Sequence, residues 1–185
     1  MDDTPRLHPL LSRRFSPLLF DEDHQVSDDE VALLIEAARW APSAGNSQPW
    51  SFVAGRRGDD THRRIVRHVL GASRDWAPTA AVLVVNLCHV LVEETDWEYS
   101  EFALYDLGQA VAHMTVQAAA LGLATRQFRA FDRDGLAAEF DVPGHWQVTT
   151  VSAFGRGAGR RPERERRASA ELRWSDRHLR IEPRG

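Results

Sequence analysis

Over the first 155 residues the apolar positions alternate between a helical spacing of about 3.6 and the short unbroken runs of buried strands. Val31, Leu34, Ile35 and Ala38 fall at i, i+3, i+4 and i+7, one face of an amphipathic helix. Ser27-Asp28-Asp29-Glu30 stands just before them. It reads as a capping box, in which hydroxyl and carboxylate satisfy amides left open by the first helical turn. Pro42 ends that helix, and residues 50–54 read as a strand. A charged helix over about residues 59–70 and a loop over 71–76 follow. Residues 79–87 are Val-rich and bounded by turn signals, the pattern of a fully buried strand. At the start of the chain, Thr4-Pro5 predicts a short helix reaching Ser12, with Pro in its first turn, and residues 13–21 read as extended.

The longest predicted helix covers residues 101–121. Leu104, Leu107, Val111, Met114, Val116 and residues 118–120 put apolar side chains on nearly every face of it. Such a helix must be covered by its own sheet and by something else, for which a second copy of the chain is the economical candidate. Gly122 suits the helix end. A strand over 123–128, a helix from N-cap Asp132 to Phe140 and a last strand over 147–154 complete the pattern. The composition changes after Gly155. Residues 156–185 are Arg-rich, with Leu172, Trp174, Leu179 and Ile181 as scattered anchors, too few for a core of their own. The expectation is one domain over residues 1–155, with 156–185 as an arm of that same domain.

Composition removes whole classes of chemistry. A chain of 185 residues can bury a single-domain core, and its 43% hydrophobic and 27% charged content is ordinary for a globular protein. A net charge of −4 gives no general attraction to nucleic acid or anionic lipid. All 23 basic residues are Arg, so lysine Schiff-base chemistry is excluded. Cys88 is the single cysteine, so no intrachain disulfide or thiolate cluster can form, and its apolar run marks it as a small buried residue. The histidines lack paired-ligand spacing, and no metal site is expected. There is no nucleophile elbow and no P-loop, and Arg160 breaks the one Gly-rich run that resembles a dinucleotide loop. No apolar run reaches the ~18 residues of a membrane span, and the N-terminus lacks a signal core, so a cytoplasmic protein without a membrane partner is expected. A nucleic-acid module is disfavoured too, because Glu163, Glu165, Glu171, Asp176 and Glu182 offset the arginines of the arm.

Three segments could carry function. In Arg14-Phe15-Ser16-Pro17, extended backbone puts Arg14 and Ser16 on one side about 6–7 Å apart, a forked cation and a hydroxyl within reach of one phosphate. The alternative is a surface Arg beside a turn. Ala41-Pro42-Ser43-Ala44-Gly45-Asn46-Ser47-Gln48-Pro49-Trp50 combines small residues, which let backbone approach a flat ligand, with Asn46 and Gln48. Their amides could match the alternating donors and acceptors of a flavin pyrimidine or another imide. The alternative is a plain helix stop and strand start. Thr125-Arg126-Gln127-Phe128-Arg129-Ala130-Phe131 lies at a strand-to-helix crossover, where exposed amides are natural donors to a bound cofactor, or simply an ordinary loop.

Taken together these segments resemble the FMN-dependent nitroreductase family over nearly the whole chain. The decapeptide, with Glu36-Ala37-Ala38-Arg39-Trp40 before it, is similar to the signature helix end and loop of that family. Residues 14–20 resemble its opening phosphate-binding stretch. Tyr105-Asp106-Leu107-Gly108-Gln109, running on through the long helix, resembles its dimer-forming central helix, and the Arg-rich arm resembles the segment that embraces the partner. The resemblance implies an α+β fold: a central mixed, mainly antiparallel sheet flanked by helices, with a long dimer-forming helix and a C-terminal arm. It implies FMN at a homodimer interface. Arg14, Phe15 and Ser16 would lie at the phosphate, with Arg164, Arg166 and Arg167 of the arm. Pro42, Ser43, Ala44, Asn46 and Gln48 would belong to the flavin-lining loop, usually contributed by the other subunit. Gln127, Phe128, Arg129 and Ala130 would pass the reactive edge and offer it backbone amides. The implied activity is ping-pong transfer of hydride from NADH or NADPH through FMN to a flat acceptor such as a quinone, nitroaromatic or flavin, with no catalytic side chain. Leu18 stands where the family usually has a basic residue, Arg129 and Ala130 where small glycines are common, and Ser73 where Asn is common. Residues 90–100 leave little room for a lid. These departures motivate the alternative of a non-catalytic flavin-binding or ligand-sequestering relative.

Overall fold

The computed structural model describes residues 7–159 and 164–174. Its centre is a four-stranded sheet of order β2-β3-β5-β4, formed by β2 (Trp50–Arg56), β3 (Val82–His89), β5 (Trp146–Gly155) and β4 (Ala124–Phe128). Every described pairing in it is antiparallel. β3 is buried along nearly its whole length, as the unbroken Val-rich run requires. The long helix α4 (Ala103–Ala120) lies on one face with α2 (Asp28–Arg39), against Val82, Val84 and Phe154. The other face, through Leu83, Val85 and Val151, is covered by α3 (Asp60–Arg67) and α5 (Arg133–Glu139), which contribute Ile65 and Leu136. An α+β architecture of this kind is the one expected.

Local signals in the sequence do what their chemistry predicts. Ser27 Oγ accepts from the Glu30 amide at 3.2 Å while Glu30 returns a carboxylate to the Ser27 amide at 2.8 Å. Asp132 caps α5 by accepting from the Gly135 amide at 3.0 Å. Gly122, at φ +75°, ends α4 as the amides of Gly122 and Leu123 return to the carbonyls of Ala119 and Ala118. This is a left-handed stop that glycine adopts without a Cβ clash.

Boundaries moved where tertiary contacts competed. α3 ends at Arg67 rather than near residue 70, because Val69 bridges Phe131 and the Leu70 amide donates to the Ala130 carbonyl at 2.8 Å. β3 starts at Val82, since residues 77–79 form a short 3₁₀ turn around Pro78. Beyond β5, β6 (Gly157–Ala158) pairs with β1 (Leu19–Phe20), the one stretch of residues 13–21 that forms a strand. The first described helix is α1 (Pro9–Ser12), with Pro9 opening it and His8 Nδ1 accepting from the Leu10 amide. Thr4 and Pro5 lie outside the described residues, as do Arg160 to Glu163 and the anchors Leu179 and Ile181. Residues 164–174 are exposed throughout. No described helix is long and apolar enough to cross a membrane, and no group of acidic, His or Cys side chains among the described residues could hold a metal.

Candidate functional site

The expected site residues fall into two groups. The first lies along the β4 edge of the sheet. Arg14 Nη1 donates to Ser16 Oγ at 3.4 Å, so the cation and the hydroxyl share one side of the extended chain. Phe15 covers Gly157, where an added Cβ would come within 2.9 Å of its ring. The stretch is held to the sheet by Arg126 of β4, whose Nη1 donates to the carbonyls of Pro17 at 3.2 Å and Leu18 at 3.4 Å. The same guanidinium lies 3.9 Å over the ring of Trp76, which meets Phe128 edge-on at 5.0 Å. Burial, and then the charge of Arg164, push the Arg126 pKa below its usual value. Arg164 therefore stands close enough for its charge to be felt there. A cavity of about 300 Å³ opens beside Phe15, between Leu10, Arg13, Leu123 and Arg156. Gln127 reaches Thr115 Oγ1 on α4 at 3.5 Å, and the Arg129 guanidinium lies 5.2 Å over the ring of Phe131. Arg129 and Ala130 are exposed, as are Arg164, Arg166 and Arg167. Arg166 donates to the Glu165 carbonyl at 2.9 Å. Leu18 is exposed, whereas Ser73 is buried.

The second group is the loop between α2 and β2. It turns through left-handed backbone at Gly45 (φ +59°), Asn46 (φ +56°) and Gln48 (φ +47°). Such strain persists only where surrounding bonds fix it, and here they are visible. Asp106, 2% exposed on α4, accepts from the Ala44 amide at 2.9 Å and from Gln109 at 3.2 Å. Ser43 Oγ accepts from the Gln48 amide at 3.0 Å, and Tyr99 donates its hydroxyl to the Ser47 carbonyl at 3.2 Å. The Gln48 side chain donates to the Asn46 carbonyl at 3.1 Å, so this amide braces the loop. Pro42, Ala44 and Asn46 are exposed. Beneath the loop, burial and the nearby Asp106 carboxylate push the Cys88 thiol up to about 11, which leaves it protonated and inert.

One copy of the chain does not unite these groups. The loop feeds β2 at one edge of the sheet and residues 127–130 close and leave β4 at the other, so three strand spacings, roughly 14 Å, separate them. Register puts both at the same end, since Phe128 lies level with Val151, Val85 and Val53. Both are footed on α4, through Asp106 and Thr115.

Asp106, Arg126, Trp76 and Tyr99 were not among the expected site residues. Asp106 carried a usable signal. With Ala103, Leu107 and Ala110 it falls at helical spacing on the buried stripe, where an acidic residue needs a partner. The role of Arg126 depends on the pairing of β4 and had no local signature.

Comparisons with known proteins show what the chain is similar to. Residues 11–86 match the nitroreductase family. A Streptomyces coelicolor protein, provisionally named an NADH dehydrogenase/NAD(P)H nitroreductase, is 29% identical over 155 residues, 74% of this chain and 76% of that one. A similarly named Archaeoglobus fulgidus protein is 50% identical over 34 residues, covering 18% of this chain and only 20% of its own length. The solved structure of an FMN-containing oxidoreductase superposes with a TM-score of 0.77 at 26% identity, covering 85% of this chain and 80% of that one. In the order of its motifs, in its fold and in these matches, the chain is similar to proteins of the nitroreductase family.

Proposed function

We propose that the chain is an FMN-dependent oxidoreductase that works as a homodimer, carrying hydride from NADH or NADPH to a flat acceptor such as a quinone, nitroaromatic or free flavin. The observation that carries this reading is the split of the family-matching segments between opposite edges of one sheet. In a dimer, the loop of residues 42–48 from one copy completes the β4 edge of the other. The outer face of α4 suits such an arrangement. Leu104 and Tyr105 are exposed on it, and Trp40, His113 and Val116 line a groove between α2 and α4. Residues 156–185 then serve as an arm lying on the partner.

The residues present fit the cofactor. Arg14 and Ser16, with Arg164, Arg166 and Arg167, would hold the phosphate. Pro42, Ser43, Ala44, Asn46 and Gln48 would line the ring, and residues 127–130 would offer backbone amides to its edge. FMN supplies the hydride chemistry when bound. The chain binds, orients and shields the ring, and no side chain is assigned as acid or base.

The test is an absorption spectrum of the purified protein, before and after excess FMN, followed by anaerobic addition of each nicotinamide. A yellow protein bleached by NADH or NADPH and recoloured by a quinone is expected. A preparation that stays colourless in excess FMN rejects the reading. Light scattering at low micromolar concentration is expected to give twice the chain mass.

A second reading, flavin binding without turnover, draws on Leu18, whose exposed side chain brings no charge, and on Arg129, which is drawn over Phe131. Stoichiometric FMN with no turnover across many acceptors would favour it.

A further inference from the structure

Asn86 sits fully buried in β3 among Val and Leu neighbours. Its Nδ2 donates to Thr150 Oγ1 at 2.9 Å and to Ser152 Oγ at 2.8 Å, while its Oδ1 is buried with no hydrogen-bond partner. An apolar residue would spare the sheet that unmatched carbonyl. The fold therefore carries a buried amide whose two hydrogens are both spent on hydroxyls of the neighbouring strand.

Three observations bring Thr150 into the candidate site. The β4–β5 register pairs Gln127 with Ser152 and Phe128 with Val151, so Thr150 is the next residue of β5 past the last pair, beside the segment expected at the reactive edge. β4 ends at Phe128, so from Thr150 outward that side of β5 has no paired strand among the described residues. β5 also bulges here. Asn86 pairs with Thr150 but Leu87 with Val148, leaving Thr149 as the extra residue. Bulges of this kind re-aim side chains and gather beside active sites. Thr150 itself is half-buried.

A hydroxyl that accepts from an amide keeps its own hydrogen for another acceptor. We propose that Thr150, oriented by Asn86, donates that hydrogen to a carbonyl oxygen on the pyrimidine edge of the bound flavin. Asn86 is then a positioning residue that sets the direction of the Thr150 hydrogen. This rests on the flavin reading above and adds to it a side-chain donor beyond the family-matching segments.

The test titrates FMN into wild type, Thr150→Val, Thr150→Ser and Asn86→Asp, following flavin fluorescence, the visible absorption maximum and the midpoint potential. Circular dichroism checks that each variant folds. Thr150→Val is nearly isosteric and is expected to weaken FMN binding roughly three- to tenfold. It should also shift the absorption maximum and lower the potential, because a donor to a ring carbonyl favours the electron-rich reduced ring. Thr150→Ser restores all three. Asn86→Asp presents only acceptors, turns the Thr150 hydrogen inward and reproduces Thr150→Val. Wild-type values throughout for a flavin-loaded Thr150→Val overturn the proposal and leave the flavin reading standing. So does a change confined to the KM of the electron acceptor. A wild type that binds no FMN sinks both.

Discussion

The two edges of the sheet carry the same kind of segment, a short connection beside a strand, held in opposite ways. The loop of residues 42–48 is a strained piece of backbone with three successive anchors: the buried Asp106 carboxylate, the Ser43 hydroxyl and the Tyr99 hydroxyl. Residues 14–18 carry no left-handed backbone. Arg126 holds them from outside, its guanidinium set between the carbonyls of Pro17 and Leu18 and the face of Trp76. The first edge presents preset backbone and the second presents charge. The difference matches what each would have to recognise, a flat polar ring edge in one case and an anion in the other.

The sharpest way to break this comparison is to cripple each edge in a different copy. Arg14→Ala alone is expected to weaken FMN binding roughly ten- to a hundredfold, the scale of a lost charge-assisted phosphate contact. Asp106→Ala alone should weaken it by releasing the Ala44 amide. In the proposed dimer, each heterodimer formed on mixing the two variants would contain one site with both defects and one with neither. Fluorescence titration of the mixture should recover a tight class of sites absent from either variant. No recovery after verified subunit exchange would mean that each copy builds its own site.

A smaller effect separates the edges by stability. Asp106→Ala leaves a backbone amide without its buried acceptor and is expected to cost about 1–3 kcal/mol in urea unfolding. The substitution Arg126→Gln removes an aromatic contact and two carbonyl contacts at a partly exposed position, and about 1 kcal/mol is expected. Equal losses would contradict the contrast drawn here. Gly45→Ala comes next. An added Cβ meets nothing within 4 Å, so only the left-handed backbone opposes it, at about 1 kcal/mol. A larger loss would reveal a contact on the outer side of the loop.

The last prediction concerns reactivity. With its pKa raised to about 11, Cys88 stays protonated at pH 8 as well as buried. Native protein should resist an aromatic disulfide reagent over times in which urea-unfolded protein reacts fully. Rapid native labelling would show that the floor under the loop opens readily.

Much of this was legible because it is local. The Ser27–Glu30 box, the Asp132 cap, the Gly122 stop and the Val-rich centre of β3 each depend on a few consecutive residues. Family likeness likewise rests on contiguous motifs. Arg14 and Ser16 came together as extended spacing requires. The wide apolar surface of α4 was visible as well, and its exposed Leu104 and Tyr105 remain after the sheet and α2 have taken their share.

The sequence by itself determined the order and kind of the main elements, the capped helix ends and the absence of lysine and disulfide chemistry. Each of these is set by residue identity and short-range periodicity. Only the tertiary structure decided that Asp106 reaches back to Ala44, that Arg126 ties residues 17 and 18 to Trp76, and that Thr150 stands opposite Asn86 beside a bulge, just past the last pair of β4. Such contacts depend on strand order and register, which pairing across the whole sheet fixes and no short window of sequence contains.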